Sequence, residues 1–587
     1  MEKIYPVNAL LIEDAAPSGS SRQMTAAKAP SKIKAGDLEF TLQPYNNISN
    51  DSSGANRSKG FTGSKPRLSK AILTTKTGTT HPWDLAHHAR EHNKDLQLKF
   101  VEPDLIHVNE TSNAQQVSKE VSRSFGNKDA PGLYDEEWPH PTARKIWHNE
   151  NDFTQLKQAR EAVMNLNATV RIAHLDTGYI KEHSMLPEHI RTDLERSFGH
   201  DDDNENDASD RGNPIFNGIG HGTSTMLLLA GRKINYPDYN FNDYLGGAPW
   251  AEIVPVRVSR SVVLLSTSSF VEAMDYVIGL SNNPDTHCDI VTMSMGGLPT
   301  KAWATAVNAA YDNGIFITTA SGDNTGGLPT RRTVYPARFR RVVNVTGVCY
   351  DYTPYYHGNI FHTQAVQGNF GPSFLMNNAI ASYSPNVPWI IHDKDNNVPS
   401  DKIGLGGAGT SASTPQVAAA AANYIRKHYD DLKGLAPWQK VEAVRTALFK
   451  KANKTKLTGD DLLLYFGNGT LQAFDALSEP VNAANYTMQP EDDVKFALFH
   501  MLFRAIKPAT SPADDIFEQM IEVEMLQLVN SNSRYQDLLE PVQYNFIKLP
   551  KTKKKEIIDG IIGSNTASDT LKTFLKTNYN TIINSKA

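Results

Sequence analysis

An α/β fold with a mainly parallel sheet is what this sequence predicts, with a small α+β region ahead of it and a helical domain behind it. Three observations carry that prediction. Between residues 170 and 477, short continuous apolar runs bounded by Gly and Pro alternate with helical stretches, the pattern of strands covered on both faces. Over residues 71–108 a short apolar piece, a helix-spaced piece and an alternating piece follow one another. Beyond residue 492 the segments carry broad apolar stripes at helical spacing and no strand pattern.

Taken in order, residues 1–70 mix short apolar pieces with Ser, Gly, Asn and Lys, and 46–70 read as loop. Ala71, Ile72 and Leu73 form a first strand piece. HPWDLAHHAREH follows as a helix through Trp83, Leu85, Ala86 and Ala89, and LQLKF as a strand alternating through Leu96, Leu98 and Phe100. Residues 111–145 are polar and read as a linker. VRIAHLDTG is a strand ending in a turn; AEIVPVRVS, CDIVTMSMGG, GIFITTASGD and RRVVNVTGV are further buried strands, with helices predicted over 268–280 and 301–313. VKFALFHMLFRAI and DDIFEQMIEVEMLQLV are the first helices of the last domain. Pro508 and Pro512 separate them, and Asp514 or Asp515 offers a cap. The division is therefore 1–110, 111–145, 146–480 and 481–587, without internal repeats.

Composition narrows the class. The 587 residues are 40% hydrophobic and 21% charged, which suffices for large cores and excludes whole-chain disorder. A net charge of -5 gives no pull toward nucleic acid or acidic membranes, and the KTKKK run at 551–555 reads as a solvated face. No apolar run reaches the length of a membrane span. The first residues, broken by Pro6, Asn8, Glu13 and Asp14, make a poor secretory signal, so a cytoplasmic protein is expected, with non-classical export left open. Cys288 and Cys349 are too few for a disulfide framework and fit small buried hydrophobes. There is no zinc-spaced Cys/His cluster, no P-loop and no GxGxxG after a strand.

Three motifs carry chemistry: HLDTGY with Asp176 at a strand end, GHGTSTMLLLAG with His221 before an apolar helix, and GTSASTPQV with Ser411 before an Ala-rich helix. A Ser hydroxyl needs a base to take its proton as it attacks a carbonyl. A His can take that proton and return it. A buried carboxylate fixes the imidazole tautomer and stabilises the imidazolium. Asp176, His221 and Ser411 are assigned those roles. Ser411 at a helix N-terminus gains a backbone N–H and the helix dipole for a developing oxyanion. Gly220 and Gly409 fit places of close backbone approach.

With Asp, His and Ser in this order, the chain resembles the subtilisin-like serine proteases over about residues 170–477. The resemblance implies a three-layer sandwich and a serine endopeptidase that takes a protein or peptide substrate as an extended strand. Ser294, Met295 and Gly296 of VTMSMGG would line the cleft. His183 would be a structural companion. Val334, before Tyr335 and Pro336, would narrow the specificity pocket against large aromatic side chains. Most subtilases place an Asn amide in the oxyanion hole, whereas TTASGDN offers Asp323 or, one residue on, Asn324.

The acidic loop HDDDNENDASDRG holds Asp201, Asp202, Asp203, Glu205, Asp207 and Asp210. Its carboxylates suit Ca²⁺, with Asp203, Asp207 and Asp210 as candidate ligands, or simply form a solvated loop; no cofactor is required. Many subtilases carry an inhibitory N-terminal propeptide, and residues 71–108 resemble one loosely. The alternative is a permanent accessory domain. The C-terminal helices could cap the protease, self-associate or bind a partner. The rival functions are a pseudoprotease acting as a binding module, favoured by Asp323, and a hydrolase of small esters or amides.

Overall fold

The computed structural model describes residues 9–14, 32–35, 37–49, 67–74, 80–93, 98–108, 146–199, 204–212, 219–262, 264–325, 332–358, 365–392, 399–455, 462–494 and 512–585. At its centre is a seven-stranded sheet in the order Ala379–Tyr383, Val343–Val348, Phe316–Ala320, Ile290–Met293, Arg171–Asp176, Glu252–Arg257, Arg196–Ser197. Every neighbouring pair is parallel. Strand side chains alternate between two cores, as a period of two requires. Ile172, Ile253, Ile290 and Phe316 face the helices Leu156–Val163, His221–Ala230, Thr410–Lys427 and Pro437–Lys451. Ala173, Leu175, Val254, Val256, Val291 and Met293 face the helices Thr267–Leu280 and Lys301–Asp312. These runs are apolar throughout because both faces of the sheet are covered.

The second core does not stop at its two helices. A five-stranded antiparallel sheet, Lys32–Ala35, Leu38–Pro44, Arg67–Leu73, Ala9–Asp14, Leu98–Pro103, lies against them with the helix Pro82–His92. Side chains of the C-terminal helices Pro512–Asn530, Lys551–Ile562 and Asp569–Thr577 join the same cluster. Carboxylates fix the N-terminal region to the sheet's helices. Glu102 accepts the N–H groups of Lys301 (3.0 Å) and Ala302 (2.7 Å). Asp104 accepts from the N–H (2.8 Å) and hydroxyl (2.6 Å) of Ser268. Each thus supplies acceptors at a helix start, where N–H groups lack intrahelical partners. Conversely Asp275, on the helix Thr267–Leu280, accepts the N–H groups of Asn47 and Ile48, both at 2.8 Å.

The central strands and both sheet-facing helices fall where the sequence predicts them. The loop reading of 46–70 needs correction at its ends, where Asn46–Ser49 is helical and Arg67–Leu73 is a strand. The strands Ala9–Asp14, Lys32–Ala35 and Leu38–Pro44 carry no recognised sequence signal. They are short, and Ala9–Asp14 is defined by partners more than fifty residues away in the chain. The linker 111–145 and nearly all of VKFALFHMLFRAI lie outside the described residues. Among the described residues no helix is long and apolar enough to cross a membrane.

Trp303 ties the layers together. It is fully buried, donates its Nε1–H to the Thr267 carbonyl at 2.9 Å, and packs on the rings of His107 (4.8 Å between centroids) and Phe270 (5.0 Å). Trp303→Ala should cost about 3–5 kcal/mol of stability. Calorimetry should show a clearly lower unfolding midpoint; an unchanged midpoint would deny Trp303 this role.

Candidate active site

The site forms at the carboxyl ends of the central parallel strands, the usual position for a crevice in such sheets. Asp176 is the last residue of its strand and is 1% exposed. Its Oδ1 lies 2.7 Å from His221 Nδ1 and accepts the Thr177 N–H at 2.8 Å. Its Oδ2 accepts the Thr225 hydroxyl at 3.1 Å. Burial alone would raise the Asp176 pKa, but the His221 charge, the hydrogen bond to it, His174 and the Thr177 N–H together lower it. Asp176 is therefore held as the carboxylate.

His221 opens the helix His221–Ala230 and is partly buried. Gly220 before it adopts φ +94°, where a Cβ would also collide with Ile390. Burial pulls the His221 pKa down, yet the Asp176 charge and hydrogen bond, with smaller contributions from Asp210 and Asp323, raise it overall. The Trp389 ring meets the imidazole edge-on, with centroids 5.5 Å apart. Behind the pair lies a polar extension that sequence reasoning missed. Thr225 sits four residues after His221, on the same helix face, and its Oγ1 is 2.8 Å from His174 Nε2. Burial lowers the His174 pKa, so this ring is neutral. The single Thr225 proton faces both Asp176 Oδ2 and the Gly222 carbonyl at 3.1 Å, which leaves His174 Nε2–H to donate to Thr225 Oγ1. The signal was available: His174 is two residues before Asp176, on the same strand face.

Asp210 accepts from backbone and hydroxyl donors. Its Oδ2 accepts from Gly220 N–H at 2.7 Å and Thr177 hydroxyl at 3.1 Å, and its Oδ1 from Gly212 N–H at 3.0 Å. It thereby braces the turn after Asp176 against the turn before His221. Asp207 is engaged by Lys181 (2.9 Å), Arg211 (2.9 Å) and Ser209 (2.6 Å). Asp203 lies outside the described residues. Among the described residues no three His, Cys, Asp or Glu side chains gather as a metal-binding set. His183 has its Nδ1 beside Met185 N–H (3.3 Å) and Asp401 (3.6 Å), both outside the Asp176–His221 pair.

Ser411 is the second residue of the helix Thr410–Lys427, which packs against the His221 helix. Its Oγ donates to the Ser294 carbonyl at 3.1 Å, and Ser294 Oγ donates back to the Ser411 carbonyl at 3.0 Å. Gly409 ahead of it has φ +92°, and a Cβ there would lie 2.5 Å from Asp323 Oδ2. Asp323 carboxylate oxygens accept the Thr410 N–H at 3.0 and 3.2 Å. Asn324 is buried and spends its amide on the Gln367 carbonyl (3.2 Å) and Asn369 Oδ1 (2.9 Å). Of the two candidates, Asp323 is therefore the one beside the Ser411 turn. Burial pushes its pKa up to about 6, against the opposing effects of the Thr410 donors and His221.

The segment expected to line a cleft runs from Ser294 through Met295 and Gly296 to Gly297, which pairs with Tyr335. Met295 is buried and turns into the core shared with the N-terminal region. Val334 touches the place where a Gly296 Cβ would stand and lies 3.1 Å from that of Gly322, so its side chain occupies the space between both backbones. Opposite this wall, Ile106–Val108 pairs antiparallel with Leu264–Ser266. His107 is buried between the two: its Nδ1 accepts the Leu298 N–H at 3.1 Å and its Nε2 lies 3.0 Å from Thr267 Oγ1.

A sequence model described as the subtilase family matches residues 167–469. Subtilisin NAT of Bacillus subtilis subsp. natto and subtilisin E of Bacillus subtilis (strain 168) are each 28% identical over 218 residues, 37% of this chain and 48% of each relative. Subtilisin of Bacillus pumilus is 27% identical over 218 residues, 37% of this chain and 66% of the relative. The chain thus spans about half the length of the first two relatives.

The Thr225 hydroxyl should matter to reactivity at Ser411. A hydrogen bond to a charged group contributes about 1.5–3 kcal/mol, so Thr225→Val should slow labelling of Ser411 by a fluorophosphonate roughly 10–100-fold. Thr225→Ser should restore most of the rate. Equal rates in all three proteins would remove Thr225 from the site.

Proposed function

Because this chain belongs to the subtilase family, we propose that it is a serine endopeptidase, made as a zymogen, that hydrolyses peptide bonds through an acyl-enzyme. The observation that carries the reading is the 2.7 Å contact of His221 Nδ1 with a buried, ionised Asp176, in a helix packed against the one that presents Ser411. The Ser411 hydroxyl exchanges its bond to the Ser294 carbonyl for one to His221 Nε2. It then attacks the substrate carbonyl as Nε2 takes the proton. His221 returns that proton to the leaving amine, and a water repeats the sequence on the acyl-enzyme. The Ser411 N–H donates to the oxyanion. Asp323, in its protonated form, donates the second hydrogen bond, as a desolvated carboxylic acid can.

Two groups then set the pH range. His221 must be neutral, and its raised pKa moves the acid limb upward. Asp323 must be protonated, and with its pKa of about 6 lying below the raised one of His221 the competent form is a minority at every pH. Activity should follow a narrow bell, with limbs belonging to the coupled pair. Two pH units above a pKa of 6 only about 1% of a carboxyl is protonated. Asp323→Asn should therefore raise activity at pH 8 on the order of 100-fold and flatten the alkaline limb. It should also lower the His221 pKa, because a negative charge near the ring is lost. A fall in activity at every pH would reject this role. No labelling of wild type or Asp323→Asn would favour the binding-module alternative, in which Asp323 marks a disabled site.

The zymogen reading is supported by the position of Ile106–Val108 on the edge strand of the cleft, where an extended substrate would pair. Along this wall the two chains run in opposite directions: Glu102 meets Lys301 and Ala302, and His107 meets Leu298 and Gly297. Counted along the wall, Ser294, whose carbonyl accepts from Ser411, stands three residues before Gly297, and an antiparallel register would set residue 110 opposite it. Wild type should accordingly cut itself between Glu110 and Thr111, and Ser411→Ala should stay intact. Intact-mass measurement reads both. A first cut elsewhere would break the register, and cleavage in Ser411→Ala would exclude self-processing.

A further inference from the structure

The C-terminal helices make a second set of contacts with the N-terminal region, separate from its contacts with the protease helices. Asp84, in the helix Pro82–His92, accepts the N–H groups of Asp569 (3.0 Å) and Thr570 (2.9 Å) and the Thr570 hydroxyl (2.6 Å). It thus caps the helix Asp569–Thr577 from outside that helix's own domain. His81 Nε2 lies 3.0 Å from the Thr566 carbonyl, and the His87 ring packs on Phe517 at 5.2 Å. Trp83 Nε1–H donates to Gln527 Oε1 at 2.9 Å, and Gln527 Nε2–H donates to the Pro299 carbonyl at 2.8 Å. Gln527 therefore joins all three parts of the molecule, two residues beyond the end of the cleft wall. Lys301, capped by Glu102, also reaches Gln519 Oε1 at 3.0 Å.

We infer that the surface formed by the helices Pro512–Asn530 and Asp569–Thr577 is a docking site for this chain's own N-terminal region, and that it holds the region in place after the linker is cut. Cleavage and release are then separate steps. The inference rests on the zymogen reading for its biological sense, but its physical basis does not. None of these contacts involves residues 111–145, so none is lost when a bond there breaks. The hydrogen bonds to Asp84 are charge-assisted and buried in part, and the Trp83–Gln527 bond is buried. The charge-assisted bonds to Asp84 are about twice as strong as neutral ones. A region gripped on two faces by two domains leaves only when both grips open together.

The test uses the full chain with Ser411→Ala and a recognition site for an unrelated sequence-specific protease inserted in the linker. The cut is thereby imposed and does not depend on self-processing. The cut protein is held by a C-terminal tag, and native mass spectrometry follows loss of the N-terminal fragment. The parent should retain the fragment. Asp84→Asn and Gln527→Ala should each speed its loss roughly tenfold or more, and the double variant further. Gln527→Ala leaves the N-terminal region's own sequence untouched, and melting before the cut identifies any variant that is simply misfolded. Immediate loss from the parent would overturn the inference. So would unchanged loss in both variants while Glu102→Gln accelerates it. If wild type never cuts itself yet the imposed-cut fragment is retained through Asp84 and Gln527, the self-processing reading fails and the docking surface stands.

Discussion

The ionised carboxylate of Asp176, 1% exposed at the end of a central strand, is the constraint on which the rest of the site depends. A carboxylate so placed is costly unless its oxygens are filled by donors. Here His221, the Thr177 N–H and the Thr225 hydroxyl fill them. The strand order supplies the position, since the parallel neighbours on both sides exclude water from the strand end. Asp210 then ties the two turns carrying Asp176 and His221, so the pair is held by backbone as well as side chains.

The same device, a carboxylate at the start of a helix, recurs wherever parts of the molecule meet. Glu102 and Asp104 cap the two sheet-facing helices from the N-terminal region, and Asp84 caps a C-terminal helix from that region. Asp275 reciprocates toward Asn47 and Ile48. Helix starts expose unpaired N–H groups whatever their sequence. A domain that supplies the acceptors is fixed in orientation as well as in contact. This explains how an N-terminal region and a C-terminal domain on opposite flanks of the sequence share one core with the protease sheet.

Asp323 stands beside the Ser411 turn, and its surroundings give that placement physical content. Glycine at 409 leaves room for the carboxylate against the Ser411 turn. Burial raises its pKa to about 6, and the proposed mechanism asks it to be protonated while the nearby His221 is neutral. Asn324, which would restore the usual amide, is committed to Gln367 and Asn369 and faces the wrong way.

The parallel sheet, its order of strands and helices and the Asp176–His221 pair were legible in the sequence, because each rests on local signals. Apolar runs mark strands covered on both faces, and reactive residues stand beside turn-forming glycines. What only the tertiary structure decided has a common physical reason: it depends on pairing between distant segments. The strands Ala9–Asp14 and Lys32–Ala35 are too short to be recognised without their partners. The roles of Thr225, His174 and Asp210 depend on which atoms lie within hydrogen-bond reach, and a cluster of acidic residues in sequence does not say whether its oxygens meet a cation or a backbone N–H. The choice between Asp323 and Asn324 turned on side-chain direction across a strand, since adjacent residues there point to opposite faces. The C-terminal helices read as apolar stripes with no stated partner; the fold supplied one, four hundred residues earlier in the same chain.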